Sequence, residues 1–263
     1  MRHSEWLGLA YFAYLAAIGW LRRVPFDRRL QATAGGLAMC AAIVLIGRTG
    51  GLVTRQWAPL VYVLAGYFLC GRLFVEPSTR VESWLLQWDR RALGDPATRF
   101  SQWPPLVLAY LDIVYMGCFV LVPAGFAVLA WTGRAALADR YWTMVLAAEF
   151  GAFAMLPIVQ TRPPWALEPR AVLSDRAVHR LASLFVRHGT IGANTFPSGH
   201  VAGSLAIALA VIGPLPWAGA VLLGLALSIA LACIVGRYHY IVDVAAGAAL
   251  ALAAWAVVRA AGV

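Results

Sequence analysis

The chain has 263 residues, 62% of them hydrophobic and only 13% charged, with a mean hydropathy of +0.74 and a formal net charge of +9. A soluble domain carries about twice that charged fraction, so the composition excludes a water-soluble globular protein and describes a multi-pass membrane protein. All 21 basic residues are arginine; arginine binds phosphate bidentately and stays charged, and no nucleic-acid partner is expected.

A spanning helix needs about 17–25 mostly apolar residues. In chain order the first expected span covers residues 6–21 and ends at Arg22-Arg23 without a small-residue cleavage site, so it reads as a span and not a signal peptide. The second covers 30–47 and the third 56–75. A polar stretch from Glu76 to Arg99 follows. Within it, residues 81–91 (VESWLLQWDRR) predict a short amphipathic helix lying in the membrane interface. The fourth span covers 104–131 and the fifth 141–160, and a polar segment then runs to Thr190.

Between Gly189 and Gly236 the only Asp, Glu, Lys, Arg or His is His200. That run is too long for one span, and Gly213-Pro214-Leu215-Pro216 divides it, because paired prolines cannot continue a helix. The sixth, seventh and eighth spans are therefore expected at 196–212, 217–235 and 238–258. The fold class expected is an all-α polytopic membrane helix bundle of about eight transmembrane helices. Residues 1–55 supply two extra N-terminal helices, and 56–263 form a six-helix catalytic core that includes the interfacial helix. Eight antiparallel spans bring the loops 22–29, 76–103, 161–195 and 236–239 to one membrane surface. Cys40, Cys70, Cys118 and Cys233 all lie in apolar runs, with no metal-type or disulfide-framework spacing, and read as small packing residues.

Two strings carry the candidate chemistry, Phe196-Pro197-Ser198-Gly199-His200 and Arg237-Tyr238-His239-Tyr240-Ile241-Val242-Asp243. Ionisable side chains at span ends are functional candidates by default. His239 and Asp243, four apart, share one helix face, so the carboxylate can fix one ring nitrogen and leave the other free to attack. His200 supplies a second proton-transfer group. Ser198 and Gly199 precede a helix start, where backbone N–H groups and the helix dipole favour an anion. Arg162, and Arg237 two residues before His239, are candidate clamps for phosphoryl oxygens. Asp112 and Glu149 lie within the fourth and fifth spans. They are read either as buried structural polar groups bonded to Arg162 or to tyrosines such as Tyr110 and Tyr115, or as part of a polar substrate pocket.

In this order the strings resemble the three motifs of the type 2 phosphatidic acid phosphatase superfamily, KxxxxxxRP, PSGH and SRxxxxxHxxxD. Arg162-Pro163 matches the end of the first, Pro197 to His200 the whole of the second, and His239 with Asp243 the end of the third. The lysine of the first falls at Met155 and the arginine of the third at Cys233, with Arg237 offset. The strings QTRPPW, TFPSGHVAGSLA and HYIVDVAAG are closer in style to the inositol phosphorylceramide synthase branch. The resemblance spans about residues 57–258. It implies attack by His239 on phosphorus to give a phosphohistidine, Asp243 orienting it, His200 as acid and then base, and Arg162, Ser198, Gly199 and Arg237 holding the oxygens. It implies no cofactor and no metal.

The function expected is a lipid phosphatase acting on a phosphomonoester or diphosphate, with membrane lipids as its surroundings. Transfer of a phospho-headgroup to a lipid alcohol is the alternative, and a transporter with Asp112 and Glu149 along its pathway is a third class. The expected location is the cell membrane. The resemblance places the active surface on the periplasmic or extracytoplasmic face. Fifteen of the 21 arginines lie on that surface, which by the positive-inside rule argues the reverse.

Overall fold

The computed structural model describes residues 1–168 and 177–262, and among these it contains helices and connecting segments but no strand. In chain order the helices are α1 His3–Leu21, α2 Phe26–Thr49, α3 Leu52–Gly71, α4 Thr79–Leu93, α5 Pro96–Ser101, α6 Pro105–Met116, α7 Cys118–Trp131, α8 Ala138–Ala154, α9 Ala177–Gly189, α10 Gly199–Ile212, α11 Pro216–Val235 and α12 Ile241–Ala260. The protein is an all-α membrane bundle. By length and composition α2, α11 and α12 can each cross a membrane, and α6 with α7 makes a fourth candidate.

Several boundaries differ from expectation for identifiable reasons. The fourth span is not one straight helix: α6 and α7 meet at a 63° bend. Gly117 stands at the break, and Pro123, inside α7, lacks an N–H and crowds the preceding turn. The fifth span ends as a helix at Ala154, three residues before Pro157. The interfacial helix α4 is longer than 81–91 because Ser78 caps its first turn, accepting from the Val81 N–H at 3.4 Å. It stops at Gly94, whose φ of 75° few other residues adopt. The region 161–195, expected as a loop, holds α9, and residues 169–176 of it lie outside the described residues.

Helix α10 sits at the centre, packed against α7, α8, α11 and α12. Its buried face is made of small and β-branched residues, Val201, Ala202, Gly203, Ala206, Ile207 and Ala208, which lets neighbouring backbones come close. Gly247 of α12 shows how close: a Cβ there would stand 2.6 Å from the Ser198 carbonyl oxygen. On the other flank α1 packs on α2 and α8. There Tyr11 stacks on Phe150 with centroids 4.0 Å apart.

One end of the bundle gathers the site. Arg22 donates to the Pro157 carbonyl, Ser78 N–H to the Gln160 carbonyl, and Trp165 N–H to the Arg237 carbonyl. The far end is fastened by charge. Arg55 forms a bidentate pair with Glu5 at 2.7 and 2.8 Å, and the Arg2 N–H donates to the same carboxylate at 2.7 Å. Asp139 of α8 accepts from the Ser4 hydroxyl at 2.6 Å and from the Ser4 N–H at 3.0 Å. Glu5 is buried, so removing its partner strands a charge. Arg55→Ala is expected to lower stability by about 3 kcal/mol, the low end for breaking a buried pair. It should appear as a lower melting temperature in detergent; an unchanged melt would mean that Glu5 is solvated through another route.

Candidate active site

Asp243 lies in the first turn of α12 and is fully buried. Its Oδ2 accepts from the Asn194 side-chain amide at 2.8 Å and from the Tyr240 N–H at 3.1 Å, and stands 3.5 Å from His239 Nδ1. Its backbone carbonyl accepts the Ser198 N–H at 3.0 Å. Asn194 is held in turn by Thr161: its N–H donates to the Thr161 carbonyl at 2.9 Å and its amide to Thr161 Oγ1 at 3.0 Å. Sequence reasoning missed Asn194. The signal available was a primary amide four residues before Ser198 in an otherwise apolar run.

His239 is placed by the turn that ends α11. The N–H groups of Tyr238 and His239 both donate to the Cys233 carbonyl, at 2.9 and 3.0 Å. This requires φ of 59° at Arg237, a left-handed conformation that costs a non-glycine residue about 1–3 kcal/mol. His239 Nε2 lies 3.2 Å from His200 Nδ1, so the imidazoles of α10 and of this turn share one hydrogen bond. With Asp243 beside His239 Nδ1, the consistent tautomers have His200 Nδ1 as donor and His239 Nε2 as acceptor, the nitrogen with the free lone pair. His200 stacks on Tyr115 at 5.0 Å, and Tyr115 stacks on Tyr238 at 3.8 Å. The Tyr238 hydroxyl donates to Asp112 at 3.4 Å. Asp112 thus belongs to the wall behind His200, through Tyr238; Tyr110 bonds Ser228 instead, at 2.9 Å.

Ser198 caps α10, its Oγ accepting from the Val201 N–H at 3.4 Å, and the Gly199 N–H donates to Thr195 Oγ1 at 3.1 Å. The arginines are already matched by carboxylates. Arg162 donates from Nε and NH2 to Glu82 of α4 at 3.0 and 2.8 Å, and its backbone N–H reaches the same group at 2.8 Å. Burial alone would raise the Glu82 carboxyl, but the Arg162 hydrogen bonds and charge outweigh it and hold the group below its ordinary value of 4.5. Arg237 is buried between Asp89 of α4, at 2.8 Å, and Glu168, at 2.6 Å. Asp89 also accepts the Ile241 N–H at 2.8 Å. Arg237 lines a cavity beneath α4 with Asp89 and Glu168, separate from the one that holds the histidines. The structure therefore gives Arg237 the place of a buried ion-pair centre that shapes the turn before His239, not that of the phosphate clamp expected of it. Glu82 and Asp89 were missed; they lie seven apart on one face of the amphipathic helix.

The histidine cavity has about 690 Å³ of atom-free space, its mouth included. His200, His239, Thr195 and Ser204 face it together with Glu149 of α8. The Glu149 carboxylate packs against α10 where side chains are missing: a Cβ at Gly203 would overlap it, and one at Gly199 would stand 3.4 Å from Oε2.

The family model of the PAP2 superfamily matches residues 83–257, well over half of the chain, and the chain belongs to that superfamily. The match begins inside α4, later than the residue 57 expected from the motifs, and includes every residue of the site described above except Glu82. No curated protein and no solved structure matches the chain. Membership makes the protein a phosphatase- or phosphotransferase-type lipid enzyme.

Two outcomes test this geometry. Asn194→Ala removes one of the two donors to Asp243 Oδ2 and loosens His239, so kcat should fall by about ten- to a hundredfold with KM little changed. Turnover equal to wild type would remove Asn194 from the site. For Glu82, a depressed folded value means that its stabilisation is present above 4.5 and is lost as pH falls through the lower, folded value. The melting-temperature gap between wild type and Glu82→Gln should therefore be open at about pH 6 and close under acid conditions. A gap that is constant with pH would rule out the ion pair as its source.

Proposed function

We propose that the protein is an integral-membrane lipid phosphatase that hydrolyses a phosphomonoester or diphosphate of a lipid through a phosphohistidine at His239. One observation carries this: two imidazole nitrogens 3.2 Å apart, one ring backed by a buried carboxylate. A phosphoryl group that displaces this hydrogen bond and parts the two rings meets a nucleophile at His239 Nε2 and a proton donor at His200 Nδ1, the pair that in-line displacement needs.

The first step forms the P–Nε2 bond as the P–O bond to the leaving group breaks, and the leaving oxygen takes the His200 proton. Asp243, oriented by Asn194 and the Tyr240 N–H, stabilises the positive charge on the His239 ring. In the second step water attacks phosphorus and loses a proton to His200, and the P–N bonding pair returns to His239. Arg162, Ser198 and the backbone at Gly199 are the groups we assign to the non-bridging oxygens, with Arg162 exchanging Glu82, and the Gly199 N–H exchanging Thr195 Oγ1, for phosphate. Residues 56–263 carry all of this chemistry, and α1 and α2 add a flank to it. We place the active surface on the extracytoplasmic face of the cell membrane; the resemblance to the family supports that side, and the arginine distribution opposes it.

A second reading has a specific observation behind it. Met155 and Cys233 stand where the family motifs carry a lysine and an arginine, and Cys233 is fully buried. With less positive charge for a free phosphate product, passage of the phospho-group to a lipid alcohol competes with hydrolysis.

Wild type, His239→Ala and His200→Ala, purified in detergent with chelator, should be given phosphatidate, an isoprenyl diphosphate, and a phospholipid with a lipid alcohol. His239→Ala is expected to lose all turnover and all acid-labile protein-bound phosphate. His200→Ala should slow turnover by about a hundredfold or more. Free phosphate from the wild type supports the phosphatase; acceptor-dependent lipid product without it supports the transferase. Turnover that survives His239→Ala would sink both.

A further inference from the structure

Glu149 takes no part in the phosphoryl steps above, yet its side chain faces the same cavity as His200 and His239. It is more than nine-tenths buried, and among the described residues no donor or opposite charge reaches it. Among the described residues that line the cavity there is no arginine or lysine. An ionised carboxylate at this depth requires a partner, the described residues provide none, and without one the group takes up a proton. The wall around it is aromatic: Tyr67, Phe119 and Phe153 face the same space. Their rings cluster, with Tyr67 centroids 6.0 Å from Phe119 and 5.5 Å from Phe153. Leu64 of α3, also in the lining, is 41% exposed.

We propose that this part of the cavity binds an ammonium group, with Glu149 as its counter-ion and Tyr67, Phe119 and Phe153 as its aromatic wall. The substrate class is then a lipid whose phosphodiester carries a choline- or ethanolamine-type cation, which is a headgroup donor for the transfer reading and not the phosphomonoester or diphosphate of the hydrolytic one. Aromatic faces attract a cation and gain little from a neutral hydroxyl. A bound cation also neutralises the carboxylate that would otherwise repel the phosphate lying at the two histidines. Gly199 and Gly203 keep the carboxylate in place by leaving room for it on α10. As a statement about substrate, the proposal rests on the phosphorus chemistry assigned to His239; as a statement about binding, it does not.

The test uses hexadecylphosphocholine, hexadecylphosphoethanolamine, and the 3,3-dimethylbutyl phosphodiester in which carbon replaces the quaternary nitrogen. All three share chain and phosphodiester, and the last lacks only the positive charge. Binding to the full-length protein in maltoside detergent is followed by intrinsic tryptophan fluorescence. At least one cationic lipid is expected to bind about tenfold or more tightly than the neutral isostere. Glu149→Gln should reduce that preference to about threefold or less and leave affinity for the isostere unchanged. Phe153→Leu should weaken the preference for the quaternary lipid. His239→Ala should keep the full preference, so a failure of the phosphohistidine chemistry and a failure of the cation site are read separately. Equal binding of isostere and cationic lipids by the wild type, or a preference that survives Glu149→Gln, overturns the proposal.

Discussion

The buried carboxylate of Asp243 is the point on which the site depends. A carboxylate at the mouth of a membrane bundle costs free energy that donors must offset. Here Oδ2 collects Asn194 and the Tyr240 N–H and stands beside His239 Nδ1, while the backbone of the same residue receives the Ser198 N–H. Segments far apart in sequence, around Ser198 and around His239, thereby meet at Asp243, and the segment around Thr161 joins them through Asn194. Their convergence brings His200 and His239 together, because each histidine is within two or four residues of a contact to Asp243.

A second layer of charge surrounds the first. Helix α4 lies across the active end with Trp84 and Trp88 partly exposed, and Glu82 and Asp89 turned inward to Arg162, Arg237 and the Ile241 N–H. Both arginines are thereby neutralised within the fold. Arg237 also sits on a left-handed backbone, and its ion pairs hold the turn from which His239 projects. A residue chosen from sequence as a phosphate ligand thus does its work one step back, by shaping the loop. Arg162, whose side chain is 40% exposed, keeps the freedom to exchange partners that Arg237 lacks.

What the sequence made legible follows from this division. The apolar runs, the paired prolines and the helix-start strings located most of the long helices to within a few residues, because burial of apolar length and loss of backbone donors are local effects. The His239–Asp243 spacing and the placement of Ser198 at a helix start were legible for the same reason. The 63° bend between α6 and α7 was not, since Gly117 and Pro123 are tolerated in straight spans when neighbours compensate. Asn194, Glu82 and Asp89 act only through partners 30 or more positions away, and no local pattern marks such contacts.

The two acids inside the bundle meet the same physical demand in different ways. Asp112 and Glu149 are both buried on helices that flank the site. Asp112 accepts from Tyr238, whose ring stacks on Tyr115, whose ring stacks on His200. It is part of a packed wall that fixes the proton-transfer group, and its requirement for a donor is met within the protein. Glu149 faces open space beside two glycines and three aromatic rings, and its requirement is not met there. Each of Asp243, Glu82, Asp89 and Asp112 has at least one donor or arginine from the protein, and among the described residues Glu149 has none, which leaves that position to something that arrives from outside.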